Sequence, residues 1–160
     1  MCQEQFLEEP NKELINIALR YLCLREYSEK ELQKKINNKQ SFTEDEFEKA
    51  FRYLREKNYL SLERYIRQKA NNLKIKGFST NYIIQFFNTE NISVTKDEIE
   101  QLELQSDMEL IKHLILKKYH ACELESLPIK KMNSLIRHIC SKGHSYHDIK
   151  STINSMKSDL

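Results

Sequence analysis

The chain has 160 residues, with 26 Lys or Arg against 24 Asp or Glu, a net charge of +2, and only two Gly and two Pro. So little Gly and Pro argues against a strand-rich fold and leaves neither a GxGxxG fingerprint nor a GxxxxGK phosphate loop. With 31% of residues charged and no apolar run of membrane-spanning length, the composition excludes a membrane span and points to an all-α protein.

Residues 1–10 form an N-terminal tail carrying Glu4, Glu8 and Glu9, without the basic and apolar stretch of a secretory signal. Cys2, Cys23, Cys122 and Cys140 are irregularly spaced and include no CxxC pair, so a reduced, cytoplasmic protein is expected. In the first unit, residues 11–60, Ile15, Ala18, Leu19 and Leu22 mark one face of a helix running to about Leu24. A second helix starts at Ser28 and buries Leu32 and Ile36. A third starts at Thr43 and buries Phe47, Ala50, Phe51 and Leu54, and the unit closes near Tyr59-Leu60.

The second unit, residues 61–105, opens with a helix capped by Ser61. Its Leu62, Tyr65, Ile66, Ala70 and Leu73 point inward, and Arg64, Arg67, Asn71 and Lys74 form the opposite stripe. Gly77 suits the left-handed end of that helix. A short helix after Ser79 turns Ile83 and Phe87 inward, and an acidic helix follows from Thr95. The third unit, residues 106–160, begins with the capping box Ser106-Asp107-Met108-Glu109, followed by Ile111, Leu114 and Ile115 and closed by Lys117 and Lys118. Pro128 suits the first turn of a helix holding Ile129, Met132, Ile136 and Ile139 that stops at Gly143. The last helix, from Ser145, buries Ile149, Ile153 and Met156.

The helix starts share one text: an apolar residue, Ser or Thr, two of any kind, an acid, then an apolar residue. Tyr27-Ser28 to Leu32, Phe42-Thr43 to Phe47, Val94-Thr95 to Ile99 and His144-Ser145 to Ile149 carry it, the last with His in the apolar slot. The hydroxyl accepts from an amide of the first turn, the acid reaches back, and the apolar pair staples the chain against the helix. Thr43, Thr95 and Ser145 lie 52 and 50 residues apart, and Ser28, Ser79 and Pro128 lie 51 and 49 apart. A period of about fifty residues predicts three tandem three-helix repeats, each burying its apolar face against a neighbour.

Charge alternates along the chain. Residues 61–89 carry a local +4, residues 90–109 a local −6, and residues 110–157 a local +6. The basic segments supply candidate contacts to a partner protein or to DNA: Arg64, Arg67, Lys74 and Lys76 in the second unit, and Lys117, Lys118, Lys130 and Lys131 in the third. Most such side chains merely solvate helices, but the second-unit stripe faces few opposing acids.

Chemistry for an enzyme is scant. His144-Ser145-Tyr146-His147-Asp148 has triad residue types, yet Ser145 is already explained as a cap and triads are assembled from distant segments. The pairs His120-Ala121-Cys122 and His138-Ile139-Cys140 have zinc-ligand types, but residues two apart on a helix diverge, so buried cysteines and partly exposed histidines are the expectation. No catalytic residue, metal site or cofactor is predicted.

The local text also resembles a known family. Ala18-Leu19-Arg20-Tyr21-Leu22, Arg25-Glu26-Tyr27-Ser28, Glu31-Leu32, Tyr53-Leu54, Asn58-Tyr59-Leu60 and Glu63-Arg64-Tyr65 resemble RecX, the bacterial regulator of the RecA recombinase. The match continues through Lys76-Gly77-Phe78, Lys117-Lys118-Tyr119 and Lys142-Gly143-His144-Ser145-Tyr146-His147-Asp148-Ile149. It covers nearly the whole chain in order, and the ordered set is more specific than any one motif. Departures are Asn58-Tyr59-Leu60-Ser61-Leu62 where the family has Gly-Tyr-Leu-Asp-Asp, Ser41 in place of Gly before Phe42, and His144 in place of the aromatic of the last Gly-Phe-Ser.

The resemblance implies an elongated, curved array of the three units and a monomer that docks along the RecA–single-stranded DNA filament. It further implies inhibition of RecA's ATP hydrolysis, strand exchange and coprotease function, within recombinational repair and the SOS response. Inhibition would come from binding, without catalysis. Weak direct DNA binding is compatible with this, and a membrane partner is not expected. The alternative reading is a stand-alone helical module that binds nucleic acid without a recombinase, and a third is a helical scaffold with no DNA role. A net charge of only +2 is low for a protein relying on phosphate contacts alone, which favours a protein partner.

Overall fold

A computed structural model describes residues 9–158, so Cys2 and residues 1–8 of the tail lie outside the described residues. Among the described residues the fold is helical, without a strand. In chain order the helices are α1 (Lys12–Leu22), α2 (Glu29–Asn37), α3 (Glu44–Glu56), α4 (Leu62–Ile75), α5 (Thr80–Thr89), α6 (Lys96–Glu100), α7 (Asp107–Leu116), α8 (Ile129–Cys140) and α9 (Tyr146–Ser158), with one 3-10 turn at Ala121–Glu123. No helix among these is long and apolar enough to cross a membrane. The chain divides into two compact units between Gln68 and Lys69, within α4.

Helix starts fall where the capping text places them. Ser28 Oγ accepts from Glu31 N–H, and Ser79 Oγ from Tyr82 N–H. The boxes at Thr43, Thr95 and Ser106 are complete, since Glu46, Glu98 and Glu109 each accept the backbone N–H of their own cap residue. Those amides, with the cap hydroxyls, hold the three carboxyls below the ordinary carboxylate range. The staple is visible in the first unit, where the Phe42 and Phe47 rings meet edge-on at 6.0 Å. At Ser145 the apolar slot works even with a histidine: His144 and Ile149 are both buried.

In the unit up to Gln68, α1 packs on α2 and α3 around Leu14, Ala18, Leu32, Ile36, Phe47, Ala50 and Leu54. Asn11 joins two of these helix starts: its Oδ1 accepts from Glu13 and Leu14 N–H, and its Nδ2 donates to Glu46 Oε1 at 2.7 Å. In the unit from Lys69, α7, α8 and α9 pack on one another around Ile111, Ile115, Leu135, Ile139, Ile149 and Ile153. There α5 packs on α6, burying Ile83, Phe87 and Ile99.

Three inward and outward assignments need correction. Leu62 and Ile129, expected in the core, are 54% and 79% exposed. Both are the first residue of their helix, and because Cα–Cβ bonds tilt toward the N-terminus, their side chains lean past the helix end instead of onto its packed turns. Lys74, placed on the outer stripe of α4, is only 3% exposed. At 100° per residue it lies about 40° round from buried Ala70, on the margin of the apolar face, where a carboxylate from α7 meets it.

Candidate functional site

Of the eight candidate basic residues, Arg64 and Lys74 are engaged by other side chains of their own units. Arg64 is committed internally. Its Nε donates to Glu26 Oε1 at 2.7 Å, its Nη1 to Asn58 Oδ1 at 2.8 Å, and its Nη2 to the carbonyls of Asn58 and Tyr59 at 2.9 and 3.1 Å. This planar fork closes the α3–α4 corner, where Asn58 takes the left-handed φ of 57°. The other Glu26 oxygen, Oε2, is buried without a hydrogen-bond partner, and Glu26 N–H donates to Gln68 Oε1. Arg64 therefore fastens a corner, a correction to its reading as a free cation on a stripe with few acids. Arg67 is exposed.

Lys74 is likewise committed. Its ammonium donates to Asp107 Oδ1 at 2.5 Å and to Thr80 Oγ1 at 2.8 Å, while Asp107 also accepts the Thr80 backbone N–H. Burial alone would push the Asp107 carboxyl up, but Lys74 and Thr80 together hold it below its usual range. A cleft of about 510 Å³ opens beside this network, bordered by Lys96, Glu100 and Asp148. The buried Lys74 and its Asp107 partner satisfy one another, so they act as a brace between α4, α5 and α7. Sequence reasoning missed the pairing because the two residues are 33 apart, although Asp107 in the first turn of α7 was visible as a cap position.

Lys76, Lys117, Lys118, Lys130 and Lys131 are exposed. Lys117, Lys118 and a lysine outside the original set, Lys142, are all near enough to His138 for their charges to act on its imidazole. Desolvation first, then the charges of Lys118, Lys142 and Lys117, push His138 below its usual range. Lys142 also sits over the Phe78 ring, 4.2 Å from its centroid, and Phe78 stacks on Tyr82 at 4.2 Å. Three lysines thus surround His138 at the C-terminal ends of α7 and α8, and one of them, Lys142, rests against an aromatic pair. Lys130 and Lys131 occupy the first turn of α8, about two turns from His138.

The segment carrying Lys142 is pinned from behind. Ser79 N–H donates to the Lys142 carbonyl at 3.0 Å and Ser79 Oγ to the Gly143 carbonyl at 2.8 Å. His144 Nε2–H donates to the Gly77 carbonyl at 2.9 Å, the acceptor fixing which nitrogen carries the proton. Gly77 and Gly143 both hold left-handed φ, 82° and 88°. At Gly143 an added Cβ would lie 2.7 Å from Ser79 Oγ and from Tyr82 Cβ.

The residues considered for catalysis or metal are placed otherwise. Ser145 Oγ accepts Asp148 N–H and donates to Asp148 Oδ2 at 2.6 Å, the geometry of a helix cap. Cys23 and Cys122 are exposed and Cys140 is half-buried, correcting the expectation of buried cysteines. Among the described residues no three His, Cys, Asp or Glu side chains converge as metal ligands would. No protein-family model matches this chain, and no curated protein matches it.

Proposed function

We propose that the chain is a RecX-type regulator that binds the RecA filament and restrains it, mainly by inhibition. One observation carries the reading: the residues of the family-like text, scattered in sequence, meet one another in space. Glu26, Tyr59 and Arg64 close one corner, and Gly77, Phe78, Lys142 and Gly143 lie at another, which His144 closes from a position where this chain departs from the family. Residues that build fold corners together are those a family must keep in register, so their joint presence supports common architecture rather than chance similarity of short words. The proposed architecture is the three-unit, curved array, with Arg67, Lys76, Lys117, Lys118, Lys130 and Lys131 as contacts to RecA or DNA.

Inhibition by an extended helical protein needs no catalytic group. It needs a surface that spans neighbouring protomers and basic side chains that meet acidic protein or phosphate. The Lys117, Lys118 and Lys142 cluster suits that role. The position of Lys142 over Phe78, which stacks on Tyr82, also favours the second reading, a module that binds single-stranded nucleic acid alone, where cations track phosphate and aromatics meet bases.

Co-sedimentation separates the two. RecA filaments on single-stranded DNA, fixed with a non-hydrolysable ATP analogue, should carry the protein into the pellet at concentrations that leave the bare DNA unbound. Equal binding to bare and RecA-coated DNA would favour the stand-alone module.

A further inference from the structure

We propose that the groove between α1 and α2 docks an acidic segment of a partner protein, which inserts one large apolar side chain and sets a carboxylate against Arg20 and Lys39. The inference does not rest on the recombinase reading, because it specifies the chemistry of the docked segment and not its owner.

The groove has a volume of about 310 Å³, with Ile17, Tyr21, Leu24 and Ile36 as its apolar lining and Arg20 and Lys39 on its rim. Leu24 is 80% exposed, although it follows a helix whose other apolar residues are buried or half-buried. A single exposed leucine is ordinary, but one that edges a concave, aromatic-lined groove is a feature of recognition surfaces.

Charge decides the occupant. Arg20 and Lys39 have no ion-pair partner among the described residues, and no acid lines the groove. Lys39 lies over the Tyr21 ring, 5.4 Å from its centroid, which holds the cation at the rim. Residues four before these two are Asn16 and Lys35, so neither cation has a carboxylate one helical turn ahead of it. Arg20 in the last turn of α1 and Lys39 just past the end of α2 meet only the partial negative charge of a helix C-terminus, not a full carboxylate. Cys23 and Leu24 N–H close on the carbonyls of Leu19 and Tyr21, and Lys39 and Gln40 N–H both close on that of Ile36. Two unpaired cations around an apolar slot select a partner combining carboxylates with a Leu or Phe, and repel a basic one.

Fluorescence anisotropy with the full chain and a labelled synthetic hexapeptide, Asp-Glu-Leu-Phe-Asp-Glu, tests this. The peptide should bind saturably. Arg20→Glu with Lys39→Glu should weaken it about tenfold or more, and Leu24→Ala about fivefold, with melting curves close to wild type because all three side chains are exposed. The charge-reversed protein should in turn bind Lys-Lys-Leu-Phe-Lys-Lys better than the wild type does. Equal affinity across the variants, or equal binding of a peptide with Gly-Gly in place of Leu-Phe, would overturn the proposal. So would sedimentation showing a concentration-dependent dimer that Leu24→Ala abolishes, which would assign the groove to a second copy of this chain.

Discussion

Lys74 and Asp107, 33 residues apart, form a partly shielded ion pair whose nitrogen and oxygen lie 2.5 Å apart. The two partners differ in exposure: the lysine side chain is almost wholly buried, whereas the aspartate retains contact with solvent. Removing one or the other should therefore have unequal consequences. Asp107→Ala leaves a buried ammonium without its counter-charge and should cost about 3 kcal/mol. Lys74→Met fills the same space with apolar atoms and leaves a carboxylate that still accepts from Thr80 and reaches water. It should cost about 1 kcal/mol. Denaturant unfolding of both variants checks the order, and a reversal would show that the pair does not act as a brace.

The same pair gives a pH dependence. The folded-state pKa of Asp107 is depressed, so the stability it contributes is fully present above the unfolded carboxylate value of about 3.9 and is lost as pH falls through the folded value below it. Thermal melts between neutral and strongly acidic pH should show wild type losing more stability than Asp107→Asn across that window. Parallel losses in the two proteins would assign the acid sensitivity to other carboxylates, such as those of the capping boxes.

The two left-handed glycines should respond differently to alanine. At Gly143 the new methyl would strike Ser79 and the β-carbon of Tyr82, which the α5 start holds in place, so strain and crowding add to about 3 kcal/mol. At Gly77 the first atoms met belong to the flexible end of Leu114, and about 1.5 kcal/mol, mainly backbone strain, is expected. Melting temperatures of Gly77→Ala and Gly143→Ala decide the matter.

The basic cluster should be separable from the fold. Alanine at Lys117, Lys118 and Lys142 should leave helicity near wild type while weakening filament binding and flattening its salt dependence. Because desolvation, and after it the charges of those lysines, hold His138 below its usual range, an anion docked among them should draw a proton onto the imidazole. Binding should then tighten as pH falls from 7 toward 5.5, and His138→Ala should remove that slope. Binding by the triple variant indistinguishable from wild type would remove the cluster from the interface.

Much of the local architecture was legible because it is written in short-range chemistry. Thr43 with Glu46, Thr95 with Glu98 and Ser106 with Glu109 announce helix starts three residues at a time, and each box is formed. Gly77 and Gly143 announce helix ends in the same way. The candidate site was less legible, because whether a lysine is a surface cation or a buried brace depends on what arrives from elsewhere in the chain. Lys74 and Arg64 looked free on a helical wheel, yet Asp107 and Glu26 reach them across 33 and 38 residues. Lys142 was passed over for the converse reason: its neighbours Phe78, Lys117 and Lys118 join it only in the folded chain.

The most direct test of the central claim is the rate of ATP hydrolysis by RecA on single-stranded DNA, titrated with this protein, with its binding to the same bare DNA measured in parallel. A RecX-type regulator should suppress hydrolysis at concentrations well below those at which it coats bare DNA. Unchanged hydrolysis, or suppression only once the bare DNA is covered, would contradict the account.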